Sequence, residues 1–296
     1  MYLGPGMRRD ERFQNSISRE SIEPQETHMA DAPHLLTEDD GQILIVTLNR
    51  PEKLNALSAE TMSLFETALH RFRDTPDFKV MLIRATGRYF CSGADLRGGG
   101  STKTARTGSG IRENMRLNLN GMHRIYDEME AIEKPIVVAH HAPCVGGGLE
   151  MSLSCDFRLA AKSASYSFPE GLFGVIPASN GVSRLTRLCG TGWARYLIMA
   201  NKPADADRAL LMGLVHEVYP DETFAQDVMD FCRHLCKNDG EQMGTAKLSI
   251  EMARDMGLAQ ARNVERMASS ALMLNPAYEE IVANYIKNLG GKGKGG

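Results

Sequence analysis

Two glutamates and a run of glycines are the residues of this chain whose types and spacing suggest catalysis. The segment CVGGGLEMSLSCD spans residues 144–156 and contains Glu150 in an otherwise apolar run, and Glu170 follows in the segment FPEG. Glycines let backbone N–H groups approach a ligand closely, and at a helix start these groups can stabilise an oxygen that gains negative charge. A carboxylate in apolar surroundings loses hydration, so its presence there suggests a site built around it.

The residues alone leave simpler interpretations open. The glycines at 146–148 could form only a tight turn, and Glu150 could be a carboxylate stabilised by a helix dipole, which is worth about 0.3–1 kcal/mol. The apolar neighbours of Glu150 indicate burial, where a solvated cap would have no use. Phosphate binding is disfavoured, because the sequence contains neither GxxxxGK[ST] nor GxGxxG.

The path of the chain allows the two glutamates to converge. After Glu150 we expect a strand at 157–161 and a returning strand at 165–168, which brings Glu170 back towards the glycines. Two carboxyl groups in one apolar pocket have their pKa values pushed apart, which provides an acid and a base at neutral pH. A second helix start, near Ser179 and Asn180, could direct another helix dipole into the same space.

The elements around these residues alternate between strand and helix patterns. Apolar runs predict strands at 43–48, 80–83 and 136–139, and Ser58 is placed to cap a helix between the first two. This alternation favours an α/β fold with parallel strands joined by right-handed crossovers. Further helices are predicted at 114–133, 193–199, 205–212, 224–237, 245–256, 258–274 and 278–289.

The composition divides the chain into four segments. Residues 1–33 are polar, mixed in charge and interrupted by prolines, which predicts a disordered N-terminal extension. The α/β core is expected at 34–222, a helical C-terminal region at 223–289 and a flexible glycine-lysine tail at 290–296. A loop rich in Gly, Ser and Thr at 98–110 is predicted to be mobile.

Charge, hydropathy and cysteine content exclude several classes of protein. The net charge of −3 and the lack of a helix with clustered Lys and Arg argue against nucleic-acid binding. No apolar run approaches the ~20 residues that span a bilayer, so no membrane association is expected. The six cysteines form no CxxC pair, which is typical of reduced thiols and predicts a cytoplasmic location.

Five motifs, taken together, resemble the crotonase superfamily, also called the enoyl-CoA hydratase/isomerase family. The resemblance covers about residues 36–287, and the family's order is kept. It implies an α/β fold with a right-handed spiral of ββα units and a helical C-terminal region. It also implies assembly as a homotrimer or a dimer of trimers. The motifs are LNRPEKLNALS (48–58), FCSGADL (90–96), GGGLEMSLSCD (146–156), FPEGLFGVIP (168–177) and GLVHEVYP (213–220).

The resemblance implies an enoyl-CoA hydratase and assigns roles to the residues noted above. The backbone N–H groups of Ala94 and Gly147 match the family's oxyanion hole for an acyl-CoA thioester carbonyl. Glu150 and Glu170 match the two glutamates that position a water molecule at the 2,3 double bond. One deprotonates the water for attack at Cβ, and Glu170 supplies the proton to Cα.

Contacts to coenzyme A, which is part of the substrate, also follow from the resemblance. Lys53 and Leu54 match the loop near the pantetheine and phosphates, and Ser92, Asp95 and Leu96 match the adenine-side loop. Lys287 aligns with a C-terminal lysine that can reach a phosphate on the same or a neighbouring subunit. No separate cofactor and no metal are expected.

Related activities remain alternatives. An enoyl-CoA isomerase needs only one of the glutamates, and other crotonase-type lyases or hydrolases use the same scaffold. A non-catalytic acyl-CoA or RNA-binding homologue is a further class. The family often has PGAGG where this chain has Ala178-Ser179-Asn180, so the side chains of Ser179 or Asn180 are expected to line the acyl pocket. His140 and His141 point to opposite sides of a strand, which favours structural roles.

Overall fold

The computed structural model describes residues 32–96 and 107–291 of the chain. Most of the predicted N-terminal extension, most of the 98–110 loop and most of the C-terminal tail lie outside these residues and stay predictions. The boundary between the two predicted folded regions, at 222–223, also stays a prediction.

Nine strands in the described ranges form two sheets. In chain order they are β1 (Leu35–Asp40), β2 (Ile43–Leu48), β3 (Val80–Ala85), β4 (Ile136–His140), β5 (Cys144–Val145), β6 (Phe157–Ala161), β7 (Ser165–Ser167), β8 (Ala204–Asp205) and β9 (Glu217–Tyr219). The larger sheet has the order β1–β2–β3–β4–β6–β9, in which only the β1–β2 pair is antiparallel. The smaller sheet has the order β5–β7–β8. The predicted parallel pairing of the apolar strands is present.

Nine α-helices connect and cover these strands within the described part of the chain. They are α1 (Ala59–Asp74), α2 (Gly108–Ala131), α3 (Gly147–Ser152), α4 (Gly181–Ala194), α5 (Ala206–Leu211), α6 (Phe224–Cys236), α7 (Gly240–Asp255), α8 (Leu258–Leu272) and α9 (Tyr278–Gly291). Short 3-10 turns lie at Pro51–Lys53 and Pro169–Phe173, and a π-helical turn lies at Arg195–Met199. The helix α3 is short and begins at the glycines of residues 146–148.

The larger sheet is buried on both faces, which explains its nearly continuous apolar strands. Leu44 and Val46 of β2 pack into the core shared with α1, α2 and the smaller sheet. Ile43 and Ile45 of the same strand face the opposite side, where Val228 and other residues of α6 cover them. A sheet held from both sides is a rigid support for the loops at its strand ends.

A half-buried ion pair fastens the helical C-terminal region to this core. Lys247 on α7 lies 2.9 Å from Asp156 Oδ2, and its Nζ also donates to the carbonyl of Met129 at 2.9 Å. The same carboxylate oxygen accepts the N–H of Ile136 at the start of β4. Asp156, directly after the α3 segment, thus connects α7, β4 and the site-bearing part of the chain.

The structure differs from the sequence expectations at several elements. β1 was not predicted, because four of its six residues are exposed and its sequence LLTEDD has no apolar alternation. α2 begins at Gly108 rather than near 114, since the Thr107 side chain caps it by accepting the N–H of Gly110. The short strands β5, β8 and β9 were also missed, because two or three residues give no periodicity.

The helix predicted at 193–199 is divided between two elements. α4 ends at Ala194 after a non-helical Gly190, and residues 195–199 form the π-helical turn. The later helices lie within a few residues of their predicted bounds, except that α7 begins five residues early at an Asp239 cap.

The last two helices leave large apolar side chains exposed in the single chain, among them Met267, Tyr285 and Ile286. None of the helices in the described ranges has the length and apolar character needed to cross a bilayer.

Candidate active site

The segment that contains Cys91 and Gly93 crosses the segment that leads from β5 into α3. The N–H of Val145 donates to the carbonyl of Cys91 at 2.9 Å and joins the two segments, and the N–H of Gly146 donates to the carbonyl of Ser167, at the end of β7, at 3.0 Å. Gly93 has φ +100°, and a Cβ at this position would lie 3.2 Å from the Val145 oxygen. Glycine is required there, because a side chain would separate the two loops.

This crossing places the backbone amides of Ala94 and Gly147 side by side. A Cβ built on Gly147 would lie 3.2 Å from the nitrogen of Ala94. Neither N–H has an acceptor among residues 32–96 and 107–291. Two adjacent donors at the positive end of a short helix can serve an oxygen that carries negative charge.

Glu150 lies in the first turn of α3, and only 5% of its surface is exposed. Its Oε1 accepts the N–H of Ser179 at 2.8 Å and that of Gly181 at 3.2 Å. A Cβ on Gly181 would lie 2.7 Å from this oxygen, so the residue must be small. The predicted second helix start therefore does face the site, through its backbone.

The surroundings of Glu150 raise the pKa of its carboxyl group to about 7. Burial is the main cause, and the negative charge of Glu170 acts in the same direction. The two backbone donors and the positive charge of Arg184 act in the opposite direction. At neutral pH the group is therefore poised to accept or release a proton.

Glu170 follows β7, lies in the 3-10 turn Pro169–Phe173 and is close to Gly146. A Cβ at Gly146, which has φ +51°, would lie 2.7 Å from Glu170 Oε1. The other oxygen, Oε2, is buried and has no hydrogen-bond partner in the described residues. Burial raises the pKa of this half-buried carboxyl as well. Both predicted acids and both predicted amides thus lie around one segment, residues 146–150.

Sequence reasoning missed Arg184, which holds α4 in position behind Glu150. Its Nε donates to Glu130 Oε1 at 2.8 Å, and its Nη2 donates to Asp127 Oδ1 at 2.8 Å. Both acids lie on α2, so this buried guanidinium ties α2 to the helix whose start binds Glu150. The only feature of the sequence that could have indicated Arg184 is its position shortly after the predicted helix start at Ser179 and Asn180.

Five of the six predicted coenzyme A contacts lie in neighbouring loop segments on the side of Ala94. The N–H of Ser92 donates to the carbonyl of Leu54 at 3.0 Å, which joins the two segments. Asp95 is held by Arg50 at 3.2 Å, and the side chains of Lys53 and Leu96 are exposed. Lys287 is exposed on α9 and forms no hydrogen bond or ion pair with these loops in the described ranges.

The two adjacent histidines occupy unlike surroundings. His140 is fully buried beneath α3, where its Nε2 lies 2.9 Å from Ser152 Oγ and its Nδ1 lies 3.1 Å from the Tyr166 hydroxyl. Burial lowers the pKa of His140 to about 3, so it stays neutral. His141 is half-buried, and its Nε2 donates to the carbonyl of Gly87 at 2.7 Å. None of these three contacts involves Glu150 or Glu170.

A cavity of about 480 Å³ lies at the opposite end of α3 from the glycines. Its lining includes Ser154, Arg158 and Ala246 but neither Glu150 nor Glu170. The chemistry of the site therefore rests on the arrangement around residues 146–150 and not on this cavity.

Comparison with known proteins agrees with this geometry. The sequence profile of the enoyl-CoA hydratase/isomerase family matches residues 38–288. A short-chain-enoyl-CoA hydratase of Clostridium acetobutylicum is 28% identical over 218 residues, which cover 73% of this chain and 80% of that protein. A carnitinyl-CoA dehydratase of Salmonella enteritidis PT4 is 31% identical over 231 residues, which cover 77% of this chain and 80% of that protein.

A solved structure of an enoyl-CoA hydratase subunit from Geobacillus kaustophilus HTA426 has the same fold. It superposes with a TM-score of 0.78 at 26% identity, over 86% of this chain and 95% of that one. The predicted crotonase-like α/β fold with its helical C-terminal region is confirmed. The chain belongs to the enoyl-CoA hydratase/isomerase family, within the crotonase superfamily.

Proposed function

We propose that this protein is an enoyl-CoA hydratase, which adds water across the 2,3 double bond of a 2-enoyl-CoA thioester. The observation that carries the proposal is the presence of a buried carboxyl group, that of Glu150, and a half-buried one, that of Glu170, around one glycine segment. Both have raised pKa values, as acid–base catalysis near neutral pH requires. The names of the relatives described above are consistent with this reaction.

The proposed mechanism takes the role of each glutamate from the family resemblance. Glu150, ionised, takes a proton from a water molecule as the water oxygen bonds to Cβ of the substrate. The electrons of the double bond move towards the thioester carbonyl, whose oxygen becomes negative. Glu170, protonated, delivers its proton to Cα as the carbonyl re-forms, so that one water is added overall.

The amides of Ala94 and Gly147 are proposed to bind the thioester oxygen during this step. Their proximity and their lack of an acceptor within the described residues support the assignment. An amide that strengthens its hydrogen bond as charge develops typically contributes ~10²–10³ in rate. The loops that carry Lys53, Leu54, Ser92, Asp95 and Leu96 are proposed to hold coenzyme A, with Lys287 as a further contact.

The test is loss of the absorbance of the conjugated enoyl thioester when purified protein is added. The panel comprises short- and medium-chain 2-enoyl-CoA esters, and carnitinyl-CoA is followed in the dehydration direction. Glu150→Gln and Glu170→Gln serve as inactive comparisons, and exposed Glu222→Gln serves as a matched control. No turnover of any ester by the wild-type protein would refute the proposal.

An isomerase that moves a double bond between positions 3 and 2 is the nearest alternative. It would be favoured by turnover of 3-enoyl-CoA together with failure to hydrate 2-enoyl-CoA. It would also keep activity in one of the two glutamate variants, because a single acid–base group suffices for the proton shift.

The assembly proposed for the protein is a homotrimer or a dimer of trimers. The exposed apolar side chains of α8 and α9 support burial against other copies. Light scattering coupled to size-exclusion chromatography tests it, and a monomer at micromolar concentration would contradict it.

A further inference from the structure

One peptide unit in the loop before α4 is hydrogen-bonded on both sides. On one side, the N–H of Ser179 donates to Glu150 Oε1 at 2.8 Å. On the other side, the carbonyl of Ala178 lies 3.1 Å from His123 Nε2. The carbonyl and N–H belong to the same planar unit and point in opposite directions, as a trans peptide requires. His123 and Glu150 are therefore joined through a single peptide group.

The donor and acceptor in this chain of contacts are determined. A carbonyl oxygen can only accept, so Nε2 of His123 carries the proton. Hydrogen bonds in series polarise one another, by about 10–30% per bond. A donor on the Ala178 carbonyl makes the Ser179 N–H a better donor to the carboxylate of Glu150.

The position of the peptide also depends on α2, where His123 lies. Four residues further along this helix, Asp127 binds Arg184 of α4 at 2.8 Å. The segment between Ala178 and Arg184 is therefore fastened to α2 at both ends. Only the contact of His123 acts directly on the peptide that binds Glu150.

We propose that His123 is a positioning residue for Glu150, which fixes and polarises the Ala178–Ser179 peptide so that its N–H stabilises the ionised carboxylate. The proposal rests on the function proposed above, in which Glu150 accepts the proton of water. Nothing in the sequence pattern or in the family comparison assigns His123 a role.

Other charged and polar groups also face Glu150, and the test must separate them from His123. Glu170 reaches it from the 3-10 turn, Arg184 from α4 and the buried Tyr126 from α2. These groups stay unchanged in a variant of His123. A change in the titration of Glu150 would then arise from the peptide contact.

The experiment compares His123→Phe, which keeps a ring but has no donor, with His123→Gln, whose amide can still donate to the carbonyl. His141 provides a matched control, because its Nε2 also donates to a backbone carbonyl, that of Gly87. His141→Phe removes this contact and His141→Gln can keep it. The contact does not involve Glu150 or Glu170. If His123→Phe does not fold, His123→Leu takes its place.

We expect kcat of His123→Phe to fall about 3- to 10-fold, the effect of one hydrogen bond, with KM changed less than about twofold. The midpoint of the acidic limb of its pH–rate profile shifts to higher pH by on the order of half a pH unit, because the Ser179 N–H then stabilises the ionised form of Glu150 less. His123→Gln restores both values. Neither variant of His141 moves the acidic limb.

A second readout does not depend on turnover. The carboxyl carbon of Glu150 is titrated by NMR in ¹³C-glutamate-labelled protein, and its signal is assigned by its absence in Glu150→Gln. Its midpoint should rise in His123→Phe and return in His123→Gln. An unchanged midpoint in an active hydratase overturns the role of His123 alone. A shifted midpoint in a protein without hydratase activity overturns the proposed function alone.

Discussion

Replacing Glu150 with glutamine should stabilise the protein above neutral pH while it removes activity. Glu150 is 5% exposed, and the pKa of its carboxyl group lies at about 7 in the folded chain instead of the usual 4.5. The folded state therefore binds more protons than the unfolded state between these two pH values. Stability must fall as pH rises through this window, and the full loss is present above pH 7.

The size of the effect follows from the same two values. The interval between 4.5 and about 7, at about 1.36 kcal/mol per pH unit, gives roughly 3 kcal/mol. Glutamine stays neutral, and its amide oxygen can still accept the N–H groups of Ser179 and Gly181. The free energy of unfolding of Glu150→Gln should exceed that of the wild type by about 1 kcal/mol at pH 5 and about 3 kcal/mol at pH 8.

The assay is urea denaturation of both proteins at several pH values and one protein concentration, since assembly would otherwise shift the midpoints. The contributions of titrating groups that do not interact with Glu150 cancel in the difference between the two proteins. Exposed Glu222→Gln is the control, with an expected change of less than about 0.5 kcal/mol at every pH. A difference for Glu150→Gln that stays constant from pH 5 to 8 would refute the raised pKa.

Three further outcomes are expected in the hydration assay. Glu170→Gln should lower kcat by ~10²–10⁴, since it removes the proton donor, and activity near that of the wild type would contradict its role. Gly147→Pro should be far less active than Gly147→Ala. In both variants the new Cβ lies 3.2 Å from the Ala94 nitrogen, but only proline removes the N–H of residue 147. Equal activities of the two variants would argue against a role of this amide. The wild-type kcat/KM should decline below an apparent pKa near 7, where Glu150 becomes protonated, and a flat profile from pH 5 to 8 would exclude Glu150 as the base.

The parts of the fold that could be predicted are those where local sequence and burial agree. β2, β3, β4 and β6 are mostly apolar because both faces of their sheet are covered. The helix after Ser58 was predicted from its cap, and the Ser58 side chain does accept the N–H of Thr61. β1 could not be predicted in this way, because its partner strand, and not its own composition, makes it a strand.

The site shows the same division. The convergence of Glu150 and Glu170 could be anticipated from the return path of β6 and β7. The contacts of Arg184 and His123 could not, because each joins elements more than 50 residues apart in the chain. Such pairings depend on how α2 crosses the start of α4, and no spacing in the sequence encodes that crossing.

The six cysteines are unpaired, and burial raises the pKa of every one of their thiols. Very little thiolate is therefore present at neutral pH, and reaction with alkylating reagents is slow. A single cysteine introduced at a surface position such as Leu96, which is 76% exposed, would be modified selectively without removal of the native ones. The natural sequence is thus already suited to attaching a spectroscopic probe beside the site.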